Sequence, residues 1–232
     1  MQFIESTAFG VRSARLSFTS RATHTRITLF PMVHVGEPAF YDATYRDAFA
    51  HDVVLVEGVD SPVVKRVTRS YRWLVGSRAM AGLIVQPRMQ RGELISGRVV
   101  HADLSADEFA QEWRRVLPWT RAMIYLLAPI VVLRLRCSGR ASLAKNLACD
   151  DEPSVAELLA IDPETGGLTQ ALLSSRDDRL IERLDGELAD AKPRSLAIVY
   201  GALHMRAVVR ALTTKYDFFA SGAEWRLVFG LD

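Results

Sequence analysis

Two histidines and a glutamate provide the side chains of a hydrolytic or metal-binding centre. His34, Glu57 and His204 lie far apart in the sequence, each close to the end of a short apolar run. Two imidazoles and one carboxylate can bind a divalent metal ion such as Mn, Co or Zn, which acts as a Lewis acid and activates water. The same groups can work without a metal, as a base and an electrostatic clamp. The residue types do not choose between these chemistries, so both stay open.

The predicted strands explain how these three side chains can meet. Each lies at or just after the end of one run with strand character, and these runs are Arg26–Phe30, Asp52–Glu57 and Ser195–Tyr200. Pro38 suits the first turn of a helix that continues to about Ala50, so the first two runs form a β-α-β unit. In open α/β sheets, ligands bind outside the carboxyl ends of the strands. We therefore expect His34, Glu57 and His204 to share one edge of the sheet.

The alternation of strands and helices predicts an α/β fold. We expect a mixed, mostly parallel central sheet with helices on both faces. Capping-box patterns, at Ser105 with Glu108 and at Ser154 with Glu157, indicate two helix starts. The other predicted elements are strands at Arg15–Thr19, Arg98–Asp103 and Glu224–Phe229 and helices over Ser61–Val85, Leu168–Asp190 and His204–Lys215.

Asp103 and Arg176 are two further candidates for the site. Asp103 is two residues from His101 on a predicted strand, so their side chains share a face, and Asp103 is the stronger candidate to orient a partner. Arg176, Arg179 and Arg183 lie along one face of the predicted polar helix. This face can simply be solvated. A buried Arg176 aimed at the sheet edge can instead hold a substrate carboxylate or stabilise an oxyanion.

The length and composition favour a single domain. The chain has 232 residues, of which 49% are hydrophobic and 24% charged, so wholesale disorder is excluded. We treat residues 1–232 as one domain with a helical, hydrophobic and basic insert at about 61–148.

Four other residues of chemically active types receive no role. Cys137 and Cys149 are too few for a cysteine-based zinc site and are expected to be free thiols. His24 and His51 fall in predicted turns with polar neighbours, so we expect both on the solvated surface.

The insert combines positive charge with apolar side chains. Basic residues recur across 63–100, where Glu93 is the only acid, and no acid occurs across 113–146. The uncharged run Ala122–Leu133 is shorter than the roughly 20 residues that cross a bilayer and contains Pro129, so a simple transmembrane helix is not expected. This mixture can lie on an anionic membrane surface, pack as a buried helical pair, or join two copies of the chain in an oligomer. Nucleic acid is not expected as a partner, because long aliphatic stretches interrupt the charges.

Four sequence motifs together resemble one protein family. The motifs are Pro31-Met32-Val33-His34-Val35-Gly36, Val54-Leu55-Val56-Glu57-Gly58, Arg176-Asp177 and Tyr200-Gly201-Ala202-Leu203-His204-Met205. Their order resembles the TraB/PrgY/GumN–TIKI family, which lies within the erythromycin-esterase-like superfamily. The similarity covers most of the chain and is weaker across 61–98 and 117–148.

This resemblance implies a hydrolase activity and a set of site residues. Functions attributed to the family include metal-dependent proteolysis of Wnt ligands by animal members and shutdown of peptide pheromone signalling by bacterial ones. Members typically carry two GxxH motifs, a glutamate after the second core strand and an arginine. The matching residues here are His34, Glu57, Arg176, Gly201 and His204. The first motif departs from the pattern, with Pro31 where the family often has glycine, so the backbone approach there must differ.

The functional expectation is hydrolysis of an amide or ester bond in a small peptide or related substrate, peptidase-like or esterase-like. In this hypothesis the three residues that bind metal or activate water are His34, Glu57 and His204. Arg176 stabilises negative charge and, with Gly201, contacts the substrate, and Asp103 orients a partner.

Two other classes of function stay open. One is a non-catalytic peptide-binding or membrane-associated regulatory protein that uses the same crevice, and the other is a scaffold whose polar cluster only holds the fold. The start of the chain lacks the basic and apolar regions of a secretory signal. We therefore expect a cytoplasmic location, with peripheral membrane contact through the insert as an option.

Overall fold

One mixed sheet positions the candidate residues. The computed structural model describes residues 1–87, 98–145, 147–150, 173–189 and 194–231. The strands are β1 (Gln2–Ser6), β2 (Gly10–Ser20), β3 (Arg26–Met32), β4 (Val35–Gly36), β5 (Val53–Val56), β6 (Ile84–Val85), β7 (Arg98–His101), β8 (Cys149–Asp150), β9 (Ser195–Gly201) and β10 (Phe218–Gly230). The main sheet follows the order β7-β5-β9-β3-β2-β1-β8, with β10 paired to β2, and β4 pairs with β6 separately.

The centre of the sheet is parallel. β9 lies between β3 and β5 and runs parallel to both, and β7 continues the parallel arrangement beyond β5. All four residues of β5 are buried, as is β9 from Leu196 to Tyr200. Because neighbouring residues of a strand point to opposite faces, this continuous burial means that both faces are covered. The expected α/β fold with a mostly parallel central sheet is confirmed.

The antiparallel part of the sheet is larger than the sequence predicted. β10 pairs with β2 along its whole length, and β1 and β3 share the other edge of β2. The last strand was expected only at Glu224–Phe229, and β1 and β8 were not expected. Most side chains of β10 are exposed. Its sequence therefore lacks the buried pattern from which strands are predicted, and its length follows from pairing with β2.

The helices agree with the predictions near the sheet and differ within the insert. They are α1 (Pro38–Phe49), α2 (Pro62–Val67), α3 (Tyr71–Leu74), α4 (Ala106–Arg115), α5 (Pro118–Lys145), α6 (Ser175–Leu188) and α7 (Met205–Thr214). The capping box of α4 is present, since Ser105 Oγ accepts from Glu108 N at 3.2 Å and Glu108 Oε2 accepts from Ser105 N at 2.8 Å. The predicted helical stretch Ser61–Val85 was wrong in part, because it is divided into short helices and ends in β6.

Two predicted features fall on parts of the chain that are not described. The capping-box pattern at Ser154 and Glu157 lies wholly outside the described residues. The first part of the helix predicted over Leu168–Asp190 also lies outside them, and the described helix α6 covers its later part.

Helix α5 lies along the body of the protein and is broken near its end. The backbone of Gly139 has φ 75° and ψ −176°, a conformation that glycine adopts readily and that interrupts the helix. Pro129 also lies inside it. Val132 packs into the main core, and Ile124 and Tyr125 pack on a smaller cluster formed with α4. Among the described helices, α5 is the one long and apolar enough to cross a membrane by length and composition.

The expectation that His51 is a surface residue was wrong. Its side chain is buried, with Nδ1 3.0 Å from Asp47 O and 3.2 Å from Ala48 O. Because carbonyls only accept, Nδ1 carries the proton, and Nε2 accepts from Thr28 Oγ1 at 2.9 Å. Burial lowers the pKa of His51. By contrast, His24 is exposed as expected.

The buried His51 is expected to make folding stability depend on pH. A histidine whose pKa is lowered by folding stabilises the protein fully above its unfolded pKa of about 6.5 and progressively less as the pH falls toward the folded pKa. In His51→Gln, the free energy of unfolding is expected to fall less between pH 7 and pH 5 than in the original protein. Loss of the hydrogen bonds is expected to cost about 1–3 kcal/mol at pH 7. Urea unfolding at each pH measures both effects.

The exposed His24 provides the matched control. His24→Gln is expected to keep the original pH dependence, because this side chain is solvated in the folded protein. A pH dependence in His51→Gln as steep as that of the original protein would contradict the assignment of the effect to His51.

Candidate functional site

The carboxyl ends of four parallel strands meet at one edge of the sheet. Glu57 follows β5 directly, Asp103 follows β7 by two residues, and Gly201 is the last residue of β9. His34 lies two residues beyond β3. Parallel strands place their carboxyl ends at the same edge, which is why these residues come from distant parts of the sequence.

Arg176 joins two of these strand ends. It lies in the first turn of α6, where its Nε donates to Asp103 Oδ1 at 2.9 Å and its Nη2 donates to Asp103 Oδ2 at 2.7 Å. Nη2 also donates to Glu57 Oε1 at 2.5 Å. The paired contact with Asp103 has the bidentate geometry that arginine favours with carboxylates. We call Glu57, Asp103 and Arg176 the carboxylate–guanidinium network.

Both carboxylates of the network have further hydrogen bonds from the backbone. Glu57 Oε2 accepts from Gly201 N at 2.5 Å, and Asp103 accepts from Gly58 N at 3.1 Å and Leu104 N at 2.8 Å. A Cβ atom at position 201 would lie 3.1 Å from Glu57 Oε2, so glycine permits the close approach. Gly201, which was expected to contact substrate, therefore holds Glu57 in the structure. The network is fixed from three strand ends and one helix.

The network keeps its carboxylates ionised despite burial. Burial alone would raise the pKa of Glu57, but the positive field of Arg176, followed by His204 and His34, lowers it overall. The pKa of Asp103 is lowered in the same way, with burial opposed by the hydrogen bonds and charge of Arg176. The side chain of Asp103 is only 1% exposed and that of Arg176 14% exposed. Both carboxylates are therefore negative at neutral pH.

A second pair of polar groups lies beside the network. His204 Nδ1 lies 2.6 Å from Asp177 Oδ1, and the His204 side chain is buried. Since a carboxylate only accepts, Nδ1 carries a proton, and in the neutral imidazole Nε2 is then the acceptor. We call these two residues the imidazole–carboxylate pair.

Asp177 was not among the residues predicted for the site. It follows Arg176 on α6, and successive residues of a helix point in directions about 100° apart. Arg176 can therefore contact the network while Asp177 contacts His204. The adjacent opposite charges at the start of a polar helix were the available signal, but the sequence does not indicate which of the charges on this helix are buried.

Tyr200 fills the space between the network and the pair. Its ring meets that of His204 edge-on with centroids 4.8 Å apart, and the Arg176 guanidinium carbon lies 5.6 Å from its ring centroid. Burial and then the charge of Asp103 raise the pKa of the Tyr200 phenol, so it stays neutral. The buried hydroxyl lies beside Asp103, and its interaction with that carboxylate contributes to the same rise in pKa.

His34 lies on an exposed but anchored loop. The Tyr41 hydroxyl donates to Val33 O at 2.9 Å, and Gln86 N donates to His34 O at 2.8 Å. The pairing of β4 with β6 holds the following residues. His34 is exposed, and it is close enough for its charge to contribute to the lowered pKa of Glu57. The structure thus places His34 at the same edge of the sheet as Glu57, with the His34 side chain exposed to solvent.

The arrangement does not have the donor set of a metal site. In the described part of the chain, no three His, Cys, Asp or Glu side chains are grouped so that they could hold a metal ion. The two oxygens of Glu57 are engaged by Arg176 and by Gly201 N, and a guanidinium supplies the positive charge beside the carboxylates. The metal therefore stays a prediction.

A polar cleft of about 560 Å³ adjoins the network. Asp103 lines it together with Arg179 and Arg183 of α6 and with Glu108 of α4. Arg179 is paired with Glu108 and with Glu182. The cleft has the size of small-molecule sites and places two arginines beside one end of the network.

Known proteins provide no further assignment. Comparison with protein-family models, with curated proteins and with solved structures gives no match. The resemblance to the TraB/PrgY/GumN–TIKI family therefore stays a prediction that rests on the motifs alone.

Removing the Arg176 charge is expected to destabilise the protein most strongly at neutral pH. Arg176→Gln leaves the buried carboxylate of Asp103 and the mostly buried carboxylate of Glu57 without their cation, which is expected to cost about 3–5 kcal/mol. In the original protein both lowered pKa values add stability that is present above pH ~4 and lost as the pH falls through the folded values. In the variant burial raises these pKa values, so the difference in unfolding free energy is expected to shrink between pH 7 and pH 4.5. Denaturant unfolding at both pH values measures it.

Arg179→Gln is a matched control on the same helix. Its ion pairs involve carboxylates that are 40% and 65% exposed, so its loss is expected to cost less than about 1 kcal/mol at either pH. Equal destabilisation by the two variants would contradict the central role of Arg176.

Proposed function

We propose that this protein is a hydrolase that cleaves an amide or ester bond in a small peptide or related substrate. The observation that carries the proposal is the 2.6 Å contact between His204 Nδ1 and Asp177 Oδ1, next to ionised Glu57 at the carboxyl edge of the sheet. A carboxylate on Nδ1 orients an imidazole and leaves Nε2 to accept a proton. This is the arrangement of a general base.

In the proposed reaction, His204 activates water. Nε2 takes a proton from water while the water oxygen attacks the carbonyl carbon of the substrate. The bond from this carbon to the leaving nitrogen or oxygen then breaks, and His204 returns the proton to the leaving group. The products are a carboxylic acid and an amine or alcohol. His34, as the exposed imidazole at the same edge, donates a hydrogen bond to the developing oxyanion.

The network has a positioning role in this proposal. Asp177 contacts His204 Nδ1, and Glu57 lies close enough to His204 for the imidazole to contribute to the lowered pKa of Glu57. Arg176 and Gly201 hold Glu57 in place from two sides. Because Arg176 already contacts two carboxylates, we assign it to positioning, in place of the substrate contact expected from the sequence.

The adjoining cleft supports a substrate with a carboxylate group. Arg183 lines the cleft, is exposed and makes no ion pair with any described residue. A guanidinium in this position can bind a carboxylate such as the C-terminus of a short peptide. Arg179 is less suited, because Glu108 and Glu182 already neutralise it.

Asp177→Asn is expected to lower kcat/KM about 10²–10⁴-fold, the range associated with a general base. The amide keeps the size of the side chain but can present its NH₂ group to Nδ1 and so favour the wrong tautomer. Turnover of a library of short peptides and esters by the full chain measures the effect, and the change is expected mainly in kcat.

Asp178→Asn is the matched control. Asp178 is the next residue of α6 and is exposed, so the same change there is expected to leave turnover unaltered. If Asp177→Asn were as active as the original protein, the proposed role of His204 as a base oriented by Asp177 would be contradicted.

A second candidate function is peptide binding without turnover. The extensive bonding of Asp103, which accepts from Arg176 and from two backbone amides, favours it because such a network also suits a rigid receptor. Calorimetry with the same peptide library distinguishes the two functions. Tight binding by the original protein with no product formed would support the binding protein over the hydrolase.

Arg183→Gln is expected to weaken the binding of substrates that carry a free carboxylate. KM for peptides with a free C-terminus is expected to rise about tenfold or more, since a charge-assisted hydrogen bond contributes about 1.5–3 kcal/mol. KM for the same peptides with an amidated C-terminus is expected to stay unchanged. A similar change for both peptides would contradict carboxylate recognition by Arg183.

A further inference from the structure

The outward face of α5 is apolar, although it is exposed. Trp119 is 74% exposed, Leu126 61%, Ile130 55% and Leu133 58%. These residues follow one another at intervals of seven, four and three, so they form a single stripe along the helix. We call this set the α5 stripe. Scattered exposed apolar residues are ordinary, whereas a continuous stripe of large side chains indicates a binding surface.

The opposite face holds α5 flat against the protein. Val132 is 2% exposed and lies in the main core, and near the other end of the helix Ile124 and Tyr125 pack on the smaller cluster. The helix is therefore attached at several points along its length, and the α5 stripe faces away from the body. By length and composition α5 could cross a membrane, but its uncharged run Ala122–Leu133 is only about 18 Å long, against a hydrocarbon core of roughly 30 Å, and the helix is packed against the body of the protein. This geometry suits a helix that lies in a membrane surface.

The charged side chains of α5 itself are all basic. No acid occurs across 113–146, while Arg134 and Arg136 are exposed beyond the apolar run. The neighbouring helix α3 packs against α5 and presents Trp73, which is 54% exposed, beside exposed Arg72. Tryptophan favours the boundary between hydrocarbon and headgroups, and arginine can extend toward anionic headgroups.

We propose that the α5 stripe and Trp73 dock on an anionic phospholipid bilayer. The stripe enters the headgroup boundary with α5 parallel to the membrane plane, and the surrounding arginines contact lipid phosphates. A second copy of the chain is a poorer occupant, because pairing two α5 helices would bring basic residues against basic residues with no acid in this segment to compensate. The positive charge of this surface therefore favours an anionic partner. Its apolar stripe favours a partner with a hydrocarbon interior, which is a lipid bilayer.

Co-sedimentation of the full chain with vesicles tests this proposal without any need for turnover. One set of vesicles contains phosphatidylcholine alone, and the other contains phosphatidylcholine with phosphatidylglycerol. At low salt we expect at least tenfold stronger binding to the anionic vesicles, and we expect added salt to weaken it because the charges become screened. Equal binding to both vesicles, or binding to neither, would overturn the proposal.

Variants assign the binding to the stripe. The double variant Leu126→Glu with Ile130→Glu is expected to bind anionic vesicles at least tenfold more weakly, because both side chains are exposed and their burial in lipid is lost. Circular dichroism checks that it remains folded.

Phe219→Glu is the matched control for an exposed apolar residue elsewhere. Phe219 is 40% exposed and lies near the start of β10, roughly 35 Å along the strand from Gly230, whose carbonyl accepts from Arg140 of α5. It is expected to bind like the original protein. Unchanged binding by a folded double variant, or self-association through α5 without lipid binding, would overturn the proposal.

Discussion

The contact of the Arg176 guanidinium with buried Asp103 and mostly buried Glu57 is the interaction on which the site depends. Glu57 and Asp103 follow adjacent parallel strands, so the sheet itself brings their like charges together. Without a cation, burial would favour their neutral forms. Arg176 reverses that preference and ties α6 to the sheet edge, where its neighbour Asp177 meets His204. Two successive residues of α6 thus have separate effects: Arg176 compensates the charge of the two carboxylates, and Asp177 positions the proposed base.

The central sheet was predictable from sequence because its strands are short, apolar and β-branched. Val53–Val56 and Ser195–Gly201 lie almost exactly where the residue pattern indicated, since burial on both faces demands continuous apolar runs. The same patterns predicted that Glu57 and His204 would reach one edge, because parallel strands share their direction. The exposed strand β10 carries no such constraint, so only part of it was foreseen.

Contacts among charged side chains were harder to predict. Arg176, Arg179 and Arg183 have the same residue type and share a helix face, yet Arg176 contacts two carboxylates in the network while the other two line a cleft. The difference comes from what α6 faces at each turn, and the pattern of charge on the helix does not contain that information. His51 illustrates the same limit: its polar neighbours suggested solvent, but Thr28 from a distant strand completes its hydrogen bonds.

The position of β9 has a consequence for how the chain assembles. β3 and β5 each pair with β9 and are separated by it, although β9 begins only at Ser195. The parallel core is therefore incomplete until the ribosome has synthesised the chain through Gly201. Such non-local pairing makes a slow folding step, because a long segment of chain must be closed before the contacts form. The insertion of β9 between β3 and β5 thus completes both the parallel core and the proposed catalytic edge, in one late folding step.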